Sequence, residues 1–178
     1  MKVTLIRHGE TTTSGRCYAG RSDVPLTQHG QEQAARLAHE LASDSVTHLL
    51  VSPLSRAIDT ARPLARVCGL VPLVSPALVE IDFGVLEGQQ KGKTGLSLRK
   101  SHSHVPIPGG EALADVWKRA GEVIDLIPSA SETHCLLVGH FWINRLIWAR
   151  LQGLSFSAAC ASKQYRPKTG SWVALDLP

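Results

Sequence analysis

The sequence has no apolar run long enough to cross a bilayer, and its amino terminus does not resemble a secretory signal. The apolar stretch that begins at Val3 ends at Arg7, whereas a signal needs a longer apolar region and a small-residue cleavage site. We therefore expect a cytoplasmic location and no membrane partner. Internal repeats and low-complexity tracts do not stand out either, which favours an ordinary globular protein.

The sequence also lacks clusters of metal-ligating residues. The four cysteines are Cys17, Cys68, Cys135 and Cys160. They are far apart and form no CxxC pair, so a zinc knuckle is not indicated, and scattered cysteines in a cytosolic chain are usually reduced structural thiols. The segment His102–His104 has two histidines but no set of carboxylates beside it. We expect no metal and no cofactor.

Charge of one sign is not strongly in excess. The formal net charge is +4 and the pI is about 9.0, which is too modest to choose between an anionic metabolite, a nucleic acid and a membrane surface. The densest basic stretch, Lys91 to Lys100, is interpreted as a solvated loop. Its basic residues are not interleaved with aromatic residues, as stacking platforms for nucleic acid require. We therefore expect no nucleic-acid partner.

What the sequence does have is an alternation of predicted strands and helices within 178 residues, a length that suits one domain. Strands are predicted at 3–7, 48–51, 70–74, 133–138 and 171–175, and helices after Thr27, from Ser52-Pro53, around Val116 and from Phe141. Ser52 is interpreted as a helix N-cap, and Pro63 predicts a kink or restart. This alternation predicts an α/β three-layer sandwich, with a mostly parallel sheet and helices on both faces. We expect a single domain over 1–178 with an irregular insertion around 85–110.

Polar residues follow three of the predicted strands. Arg7 and His8 follow the first, Ser52 and Arg56 the second, and His140 the fourth. Ligands of such sheets bind beyond the carboxyl ends of the strands, so these side chains are expected at one edge. Paired guanidinium groups match the oxygens of a tetrahedral dianion, and neutral imidazole is a competent nucleophile toward phosphorus. A second, protonated histidine would add a hydrogen-bond donor.

Five motifs, in the right order along most of the chain, resemble those of the histidine phosphatase superfamily, which is also called phosphoglycerate-mutase-like. They are Leu5–Thr11, Asp23–Ala34, Ser52–Ala61, Glu80–Gly88 and Val138–His140. The resemblance implies the fold of that family and a metal-independent phosphomonoesterase activity.

The resemblance also implies roles for individual residues. His8 would attack phosphorus in line and become phosphohistidine. Arg7, Arg56 and His140 would bind the phosphoryl oxygens and stabilise the transition state. Glu80 would protonate the departing alkoxide and then take a proton from the attacking water.

Other residues of these motifs have weaker assignments. Gly9 and Thr11 are assigned to substrate binding on the same resemblance. The chain departs from the family after Thr11, where Thr12–Gly15 replaces the Trp-Asn of many mutase-type members. Ser14 or Thr13 would then take over the phosphate contact of that asparagine.

Three further carboxylates compete with Glu80 for the role of proton donor. Glu10 lies too close to the nucleophile in the loop to face a leaving group easily, and Glu87 lies later in the irregular segment. Asp82 is the third. The motif resemblance favours Glu80.

The substrate is open at this stage. The stretch Gly15–Gly20 is similar to one in α-ribazole-phosphatase-like members, which dephosphorylate α-ribazole 5′-phosphate in the assembly of the lower loop of cobalamin. Where the family often has glycine after the second histidine, this chain has Phe141-Trp142, which would narrow the pocket, stack on a ring-bearing substrate or pack in the core.

Four alternatives to an α-ribazole phosphatase are kept. They are a broad-specificity phosphatase, a protein-phosphohistidine phosphatase, a phosphoglycerate mutase and, from a different class, a non-catalytic phosphate-binding regulatory module. A mutase must keep water from its phosphohistidine, and only the stretch Lys91 to Lys100 could serve as a cap. The complete catalytic set argues against the regulatory module. The partner we expect is a small phosphorylated metabolite, and both a monomer and a homodimer stay open.

Overall fold

The computed structural model describes residues 1–42, 45–93 and 98–178, with the side chains of Arg99 and Lys100 left out. Five strands in these ranges form one sheet. They are β1 (Lys2–Arg7), β2 (His48–Val51), β3 (Leu73–Val74), β4 (His134–Gly139) and β5 (Trp172–Asp176). Their order is β3-β2-β4-β1-β5, and all neighbouring pairs are parallel except β1 with β5. The prediction of a mostly parallel sheet is confirmed.

Helices and short turns connect the strands. The helices of the described ranges are α1 (Gln28–Leu41), α2 (Ser55–Cys68), α3 (Leu98–Ser101), α4 (Leu113–Asp125), α5 (Phe141–Leu151) and α6 (Phe156–Ala161). Two 3-10 turns, Pro76–Leu78 and Gly84–Leu86, follow β3, and the second lies at the start of the insertion predicted around 85–110. Sequence analysis missed α3 and α6, and residues 94–97 of the basic stretch lie outside the described residues. No helix in the described ranges has both the length and the apolar character that crossing a membrane demands.

Side chains alternate along each strand, so those of the central strands divide between two cores, one on each face of the sheet. Val3 and Leu5 of β1 belong to the core formed with α4 and α5. Ile6 of β1 belongs to the core formed with α1 and α2, which includes Leu37 and Ala57. The three-layer arrangement with helices on both faces is therefore confirmed.

The start of α2 differs from the prediction. The helix begins at Ser55, its N-cap residue is Leu54, and no side chain of that residue caps it, so the assignment of Ser52 as N-cap is wrong. The cap is supplied from a distance: Asp23 Oδ1 accepts a hydrogen bond from the main-chain N–H of Ser55 at 3.1 Å. Hydrogen bonds from the side chain and then from the main chain of Ser55 lower the pKa of Asp23. Because a distant loop caps the helix, the local Ser-Pro signal was misleading.

Two further predictions in this region need correction. The prediction at Pro63 was a kink or a restart; the helix α2 continues through Pro63 as one element, so the restart is wrong and the kink stays a prediction. Strand β3 has two residues instead of the five predicted at 70–74, and both are exposed at the edge of the sheet. The apolar residues at 70–74 therefore predicted a strand longer than the two residues that pair with β2. Thr27, by contrast, is confirmed as the N-cap of α1, where its side chain accepts from Gly30 N at 3.0 Å.

The loop after β1 lies directly against the first turn of α1. A Cβ atom on Gly30 would lie 2.1 Å from the main-chain oxygen of Glu10, and a Cβ on Gly9 would lie 2.4 Å from the oxygen of Gly30. The main-chain N–H of Thr27 also donates to Glu10 O at 2.9 Å. Glycine is required at both positions because backbone meets backbone, and this contact holds the loop that follows His8.

We expect Gly30→Ala to destabilise the protein by about 1–3 kcal/mol, because neither backbone can move away without disturbing the loop. For a chain of this length each kcal/mol lowers Tm by about 3 °C, which thermal unfolding will measure. Gly121→Ala is the matched control, since a Cβ there would meet the end of the Arg150 side chain, at 3.3 Å. If Gly30→Ala is as stable as Gly121→Ala, the proposed backbone contact does not hold the loop.

Candidate active site

Parallel pairing brings the residues after three strands to one place. One residue beyond the strands, His8 N donates to Gly139 O and Ser52 N donates to Val138 O, both at 3.0 Å. Strand β4 lies between β1 and β2, so His140 lies between the other two side chains. The ring centroids of His8 and His140 are 5.1 Å apart.

The tautomer of His8 follows from the hydrogen bond that its ring makes within the described residues. His8 Nδ1 lies 2.7 Å from the carbonyl oxygen of Gly9, which can only accept. The proton therefore resides on Nδ1, and Nε2 carries a free lone pair. His8 is 6% exposed and lines a cleft, so that lone pair belongs to a buried but reachable nitrogen.

The electrostatic surroundings keep His8 neutral. Burial lowers its pKa well below the usual range, and the positive charges of Arg7 and Arg56 lower it further. The hydrogen bond to Gly9 acts in the opposite direction and is outweighed. A neutral imidazole is the form that can attack an electrophile.

Arg7 places a guanidinium group at the wall of the cleft. Its Nη1 donates to Pro167 O at 2.9 Å, and its Cζ lies 5.4 Å from the ring centre of Phe141. Its Nε is buried and has no hydrogen-bond partner within the described part of the chain. A buried donor of this kind is satisfied when an anion enters the cleft.

Arg56 is 1% exposed and is held from three directions. Nη1 donates to Ser22 O at 2.7 Å, Nη2 to Gly20 O at 2.6 Å, and Nε to His140 Nδ1 at 3.3 Å. A guanidinium group has five N–H donors, so each terminal nitrogen keeps one. Arg56 also lines the cleft, where these donors can meet oxygen atoms.

His140 lies beside His8, but its ring nitrogens are already engaged. Nδ1 accepts from Arg56 Nε, so the proton resides on Nε2, which donates to Ser52 Oγ at 2.7 Å. The ring is fully buried, and burial followed by the neighbouring charges lowers its pKa well below the usual range. Sequence analysis predicted a protonated donor to the phosphoryl oxygens. In the structure the ring nitrogens bind Arg56 and Ser52, and the contact with a phosphoryl oxygen stays a prediction.

Glu80 brings a carboxylate to the same cleft. Its Oε1 accepts from Trp142 N and Ile81 N, both at 3.0 Å, and its Oε2 accepts from Trp142 N at 3.2 Å. Trp142 lies in the first turn of α5, where N–H groups have no partner within the helix and the helix dipole is positive. The carboxylate is therefore fixed by main-chain donors.

The competing carboxylates are engaged away from the cleft. Glu10 accepts from the N-cap threonine of α1, Asp82 from a main-chain N–H two residues along, and Glu87 from the turn Arg21–Ser22. Of these four carboxylates, Glu80 is the one that lines the cleft.

The loop after β1 contributes hydroxyl groups to the cleft. Ser14 Oγ accepts from Thr11 N at 2.9 Å, and the hydroxyl of Thr11 lies 3.0 Å from that of Ser14 and 3.2 Å from that of Thr13. All three residues line the cleft. Gly9 was predicted to bind substrate, but its N–H donates to Thr60 Oγ1 at 2.9 Å and its carbonyl oxygen accepts from His8 Nδ1 at 2.7 Å.

Aromatic side chains form much of the remaining wall of the cleft, whose volume is about 420 Å³. The rings of Tyr18 and Phe83 lie 4.8 Å apart, and those of Phe141 and Trp142 lie 5.3 Å apart. The ammonium group of Lys91 lies 5.8 Å from the ring of Tyr18. Lys91 was predicted to belong to a solvated loop. It is exposed, but it lines the cleft.

Sequence analysis missed three contributions to this region. Ser52 binds the second histidine, a role hidden by its resemblance to a helix cap. Tyr18 lies in the stretch Gly15–Gly20 and Phe83 lies in the motif Glu80–Gly88, but no pattern in the sequence indicated that their rings are in contact. Arg119, inside α4, binds the segment that carries Glu80 and had no signal in the sequence.

No group of three histidine, cysteine, aspartate or glutamate side chains that could hold a metal ion is found among the described residues. In the segment His102–His104, the Nδ1 atom of the first ring lies 3.0 Å from Val105 O. The second ring packs at 5.0 Å against Phe156.

Comparison with protein families gives a match over residues 3–177 to the histidine phosphatase superfamily (branch 1). A probable phosphoglycerate mutase GpmB from Yersinia enterocolitica is 32% identical over 165 residues, which are 86% of this chain and 76% of that protein. The GpmB protein of Yersinia pestis is 31% identical over 187 residues and covers 99% of this chain and 85% of its own length.

Two solved structures are similar over nearly the whole chain. The α-ribazole phosphatase of Shigella flexneri has a TM-score of 0.83 and 29% identity, covering 100% of this chain and 91% of its own. A mycobacterial glucosyl-3-phosphoglycerate phosphatase has a TM-score of 0.84 and 27% identity, covering 97% of this chain and 88% of its own.

Folding stability should fall as the pH is lowered below about 6.5, the pKa of histidine in an unfolded chain. The folded state holds His8 and His140 at lowered pKa, so the unfolded state binds more protons below that pH. The stability they contribute is present above about 6.5 and is lost as the pH falls toward their folded pKa values. Urea unfolding between about pH 7.5 and about pH 5.5 measures this slope.

The variant His8→Gln removes one of the two titrating rings and should flatten the slope. A stability that does not change over this range, or a variant with the wild-type slope, would contradict the assignment of neutral buried rings.

Proposed function

The chain belongs to the histidine phosphatase superfamily (branch 1), and we propose that it is a metal-independent phosphomonoesterase that works through a phosphohistidine on His8. The observation that carries this proposal is the state of the His8 ring. Its Nδ1 proton is committed to Gly9 O, so Nε2 offers a lone pair beside two guanidinium groups, in a cleft that also contains a carboxylate.

In the first step the lone pair of His8 Nε2 forms a bond to phosphorus while the bond from phosphorus to the ester oxygen breaks. Glu80 enters this step as the carboxylic acid and gives its proton to the departing oxygen, which leaves as an alcohol while Glu80 becomes the carboxylate. Arg7 and Arg56 donate to the equatorial oxygens, where negative charge is concentrated in the transition state. Arg7 has a buried Nε with no acceptor among the described residues, and Arg56 keeps one N–H on each terminal nitrogen.

In the second step water attacks phosphorus, Glu80 takes its proton, and the bond from nitrogen to phosphorus breaks to release phosphate. His140 supports both steps by accepting from Arg56 Nε, which holds the guanidinium group in place. Direct binding of a phosphoryl oxygen by His140 requires that its bond to Arg56 or to Ser52 be exchanged for one to the substrate.

For the substrate we propose a small phosphorylated metabolite that carries a planar ring, with α-ribazole 5′-phosphate as the leading candidate. The cleft volume of about 420 Å³ is within the usual range for small-molecule sites. Its two aromatic pairs, Tyr18 with Phe83 and Phe141 with Trp142, suit a bicyclic base. The similarity to the Shigella phosphatase and the family-like stretch Gly15–Gly20 support the same choice.

Phosphoglycerate mutase is the second candidate, and the names of the Yersinia relatives favour it. A mutase passes the phosphoryl group from phosphohistidine to a second hydroxyl group of the substrate, whereas a phosphatase passes it to water. Incubation with 3-phosphoglycerate separates the two, because a mutase yields 2-phosphoglycerate and a phosphatase yields glycerate and phosphate.

We expect the purified protein to hydrolyse p-nitrophenyl phosphate in the presence of EDTA, and His8→Ala to reduce the rate to background, because the nucleophile is lost. Acid-labile, base-stable phosphate on His8 should appear after rapid quenching and mass spectrometry. His39→Ala, on the exposed surface of α1, is the matched control. Hydrolysis that needs a metal, or that persists in His8→Ala, would overturn the proposed mechanism.

We expect kcat/KM for α-ribazole 5′-phosphate to exceed that for ribose 5-phosphate by about tenfold or more, since stacking of one base on aromatic rings contributes about 1–3 kcal/mol. Tyr18→Leu keeps an apolar side chain but removes the ring, so it should reduce this ratio and leave ribose 5-phosphate hydrolysis nearly unchanged. Steady-state kinetics with both substrates measures the ratio. Equal losses on both substrates would show that Tyr18 does not recognise the base.

A further inference from the structure

The segment that carries Glu80 has no helix or strand of its own. It connects the 3-10 turns Pro76–Leu78 and Gly84–Leu86 and crosses the edge of the cleft. Its carboxylate nevertheless makes specific bonds to Trp142 N and Ile81 N. Since local secondary structure does not hold this backbone, contacts from outside the segment must do so.

Arg119 of α4 supplies these contacts. Its Nη1 donates to Ala77 O at 2.9 Å and to Val79 O at 3.0 Å, and its Nη2 lies 3.5 Å from Glu80 O. The carboxylate of Glu111 accepts from Nε at 3.2 Å and from Nη2 at 2.9 Å. All five donors of the guanidinium group are therefore used, and three of them bind main-chain oxygens of one short segment.

Glu111 also binds the chain beyond Glu80. We call the bonds that Arg119 and Glu111 make to residues 77–82 the clasp. Its Oε2 accepts from Asp82 N at 3.0 Å, and its own N–H donates to Asp82 O at 3.0 Å. Arg21, from the loop after β1, donates to Glu111 Oε1 at 2.8 Å. The side chains of Arg119 and Glu111 are 15% and 17% exposed, so the pair is largely shielded from water and its forked geometry is well defined.

We propose that Arg119, held by Glu111, is a positioning residue for the carboxylate of Glu80. This inference rests on the proposed function, in which Glu80 is the proton donor. Arg119 does not line the cleft within the described structure and so does not contact the substrate. It acts through the backbone, because a shift of the segment by about 1 Å would misplace a proton donor enough to cost up to about 100-fold in rate.

Lysine does not replace arginine in this arrangement. Its ammonium group has three donors on one nitrogen, whereas the clasp needs donors on three nitrogens that point in different directions. Arg119→Lys therefore keeps the charge beside Glu111 but loses the simultaneous bonds to Ala77 O and Val79 O. The variant Arg119→Lys therefore shows whether catalysis depends on the geometry of the guanidinium bonds or only on the positive charge.

The kinetic test compares an aryl with an alkyl phosphate in Arg119→Met, Arg119→Lys and Glu80→Gln. Aryl oxides leave well without a proton, so loss of a correctly placed donor slows the alkyl ester more. We expect Glu80→Gln to lose about 100-fold or more on the alkyl ester. Both Arg119 variants should lose about tenfold in kcat/KM on it and less than about threefold in kcat/KM on p-nitrophenyl phosphate, because kcat/KM reports the first step and excludes the attack of water that both esters share.

The matched control is Arg62→Met, which breaks another arginine–carboxylate pair, the 2.9 Å contact of Arg62 with Asp59 on α2. It should show wild-type rates on both esters. In the Glu80→Gln background, Arg119→Met should add no further loss on the alkyl ester, because the donor it positions is already absent. Equal losses on both esters, or additive losses in the double variant, would overturn the proposal.

A readout that needs no turnover is the amide resonance of Trp142, whose N–H binds the Glu80 carboxylate. It should shift in Arg119→Met and Arg119→Lys in the direction seen for Glu80→Gln, and it should stay unchanged in Arg62→Met.

An unshifted resonance in folded Arg119 variants overturns the positioning role even if the protein is not a phosphatase. Absence of hydrolysis by the wild type, with the shift present, refutes the proposed function and not the clasp. If Arg119→Met does not fold, Arg119→Lys and Glu111→Gln carry the same test.

Discussion

The parallel pairing of β4 with both β1 and β2 is the constraint on which the site depends. Because β4 lies between the other two strands, the residue after it is surrounded by the residues after its neighbours. His140 can therefore bind Ser52 on one side and lie against His8 on the other. A slip of one register position would turn these side chains toward opposite faces of the sheet and separate them.

This arrangement concentrates positive charge in a buried place. Arg7 and Arg56 approach the same point, and Glu80 is the carboxylate beside them at the cleft. Buried charges without partners are costly, so the protein keeps both histidines neutral and covers part of Arg56 with carbonyl oxygens. The excess of positive charge that remains favours a dianionic ligand. The same positive charge keeps His8 deprotonated, which is the form that nucleophilic attack requires.

The sequence predicted the sheet and the main helices because alternating apolar patterns are local and strong. It also predicted which residues gather at the strand ends, since the carboxyl ends of parallel strands lie at one edge of the sheet. It did not predict contacts made by distant chain segments. Asp23 caps α2 across the structure, which frees Ser52 for His140, and Arg119 reaches Glu80 from a helix that shows only a core pattern. Short elements such as α6 and the edge strand β3 were missed or misjudged because tertiary pairing decides their length.

The pair Phe141-Trp142 shows how chemistry and recognition are separated at the start of α5. The main-chain N–H of Trp142 binds Glu80, an interaction that any residue except proline could make at that position. The side chains make other contacts. The ring of Phe141 lies near the guanidinium group of Arg7 and packs against the ring of Trp142, and both rings line the cleft. A family member with glycine in place of Phe141 would keep the main-chain donor to the carboxylate and lose the Phe141 ring from the wall of the cleft. The backbone of α5 can thus serve one catalytic arrangement while its first two side chains change the ligand that fits.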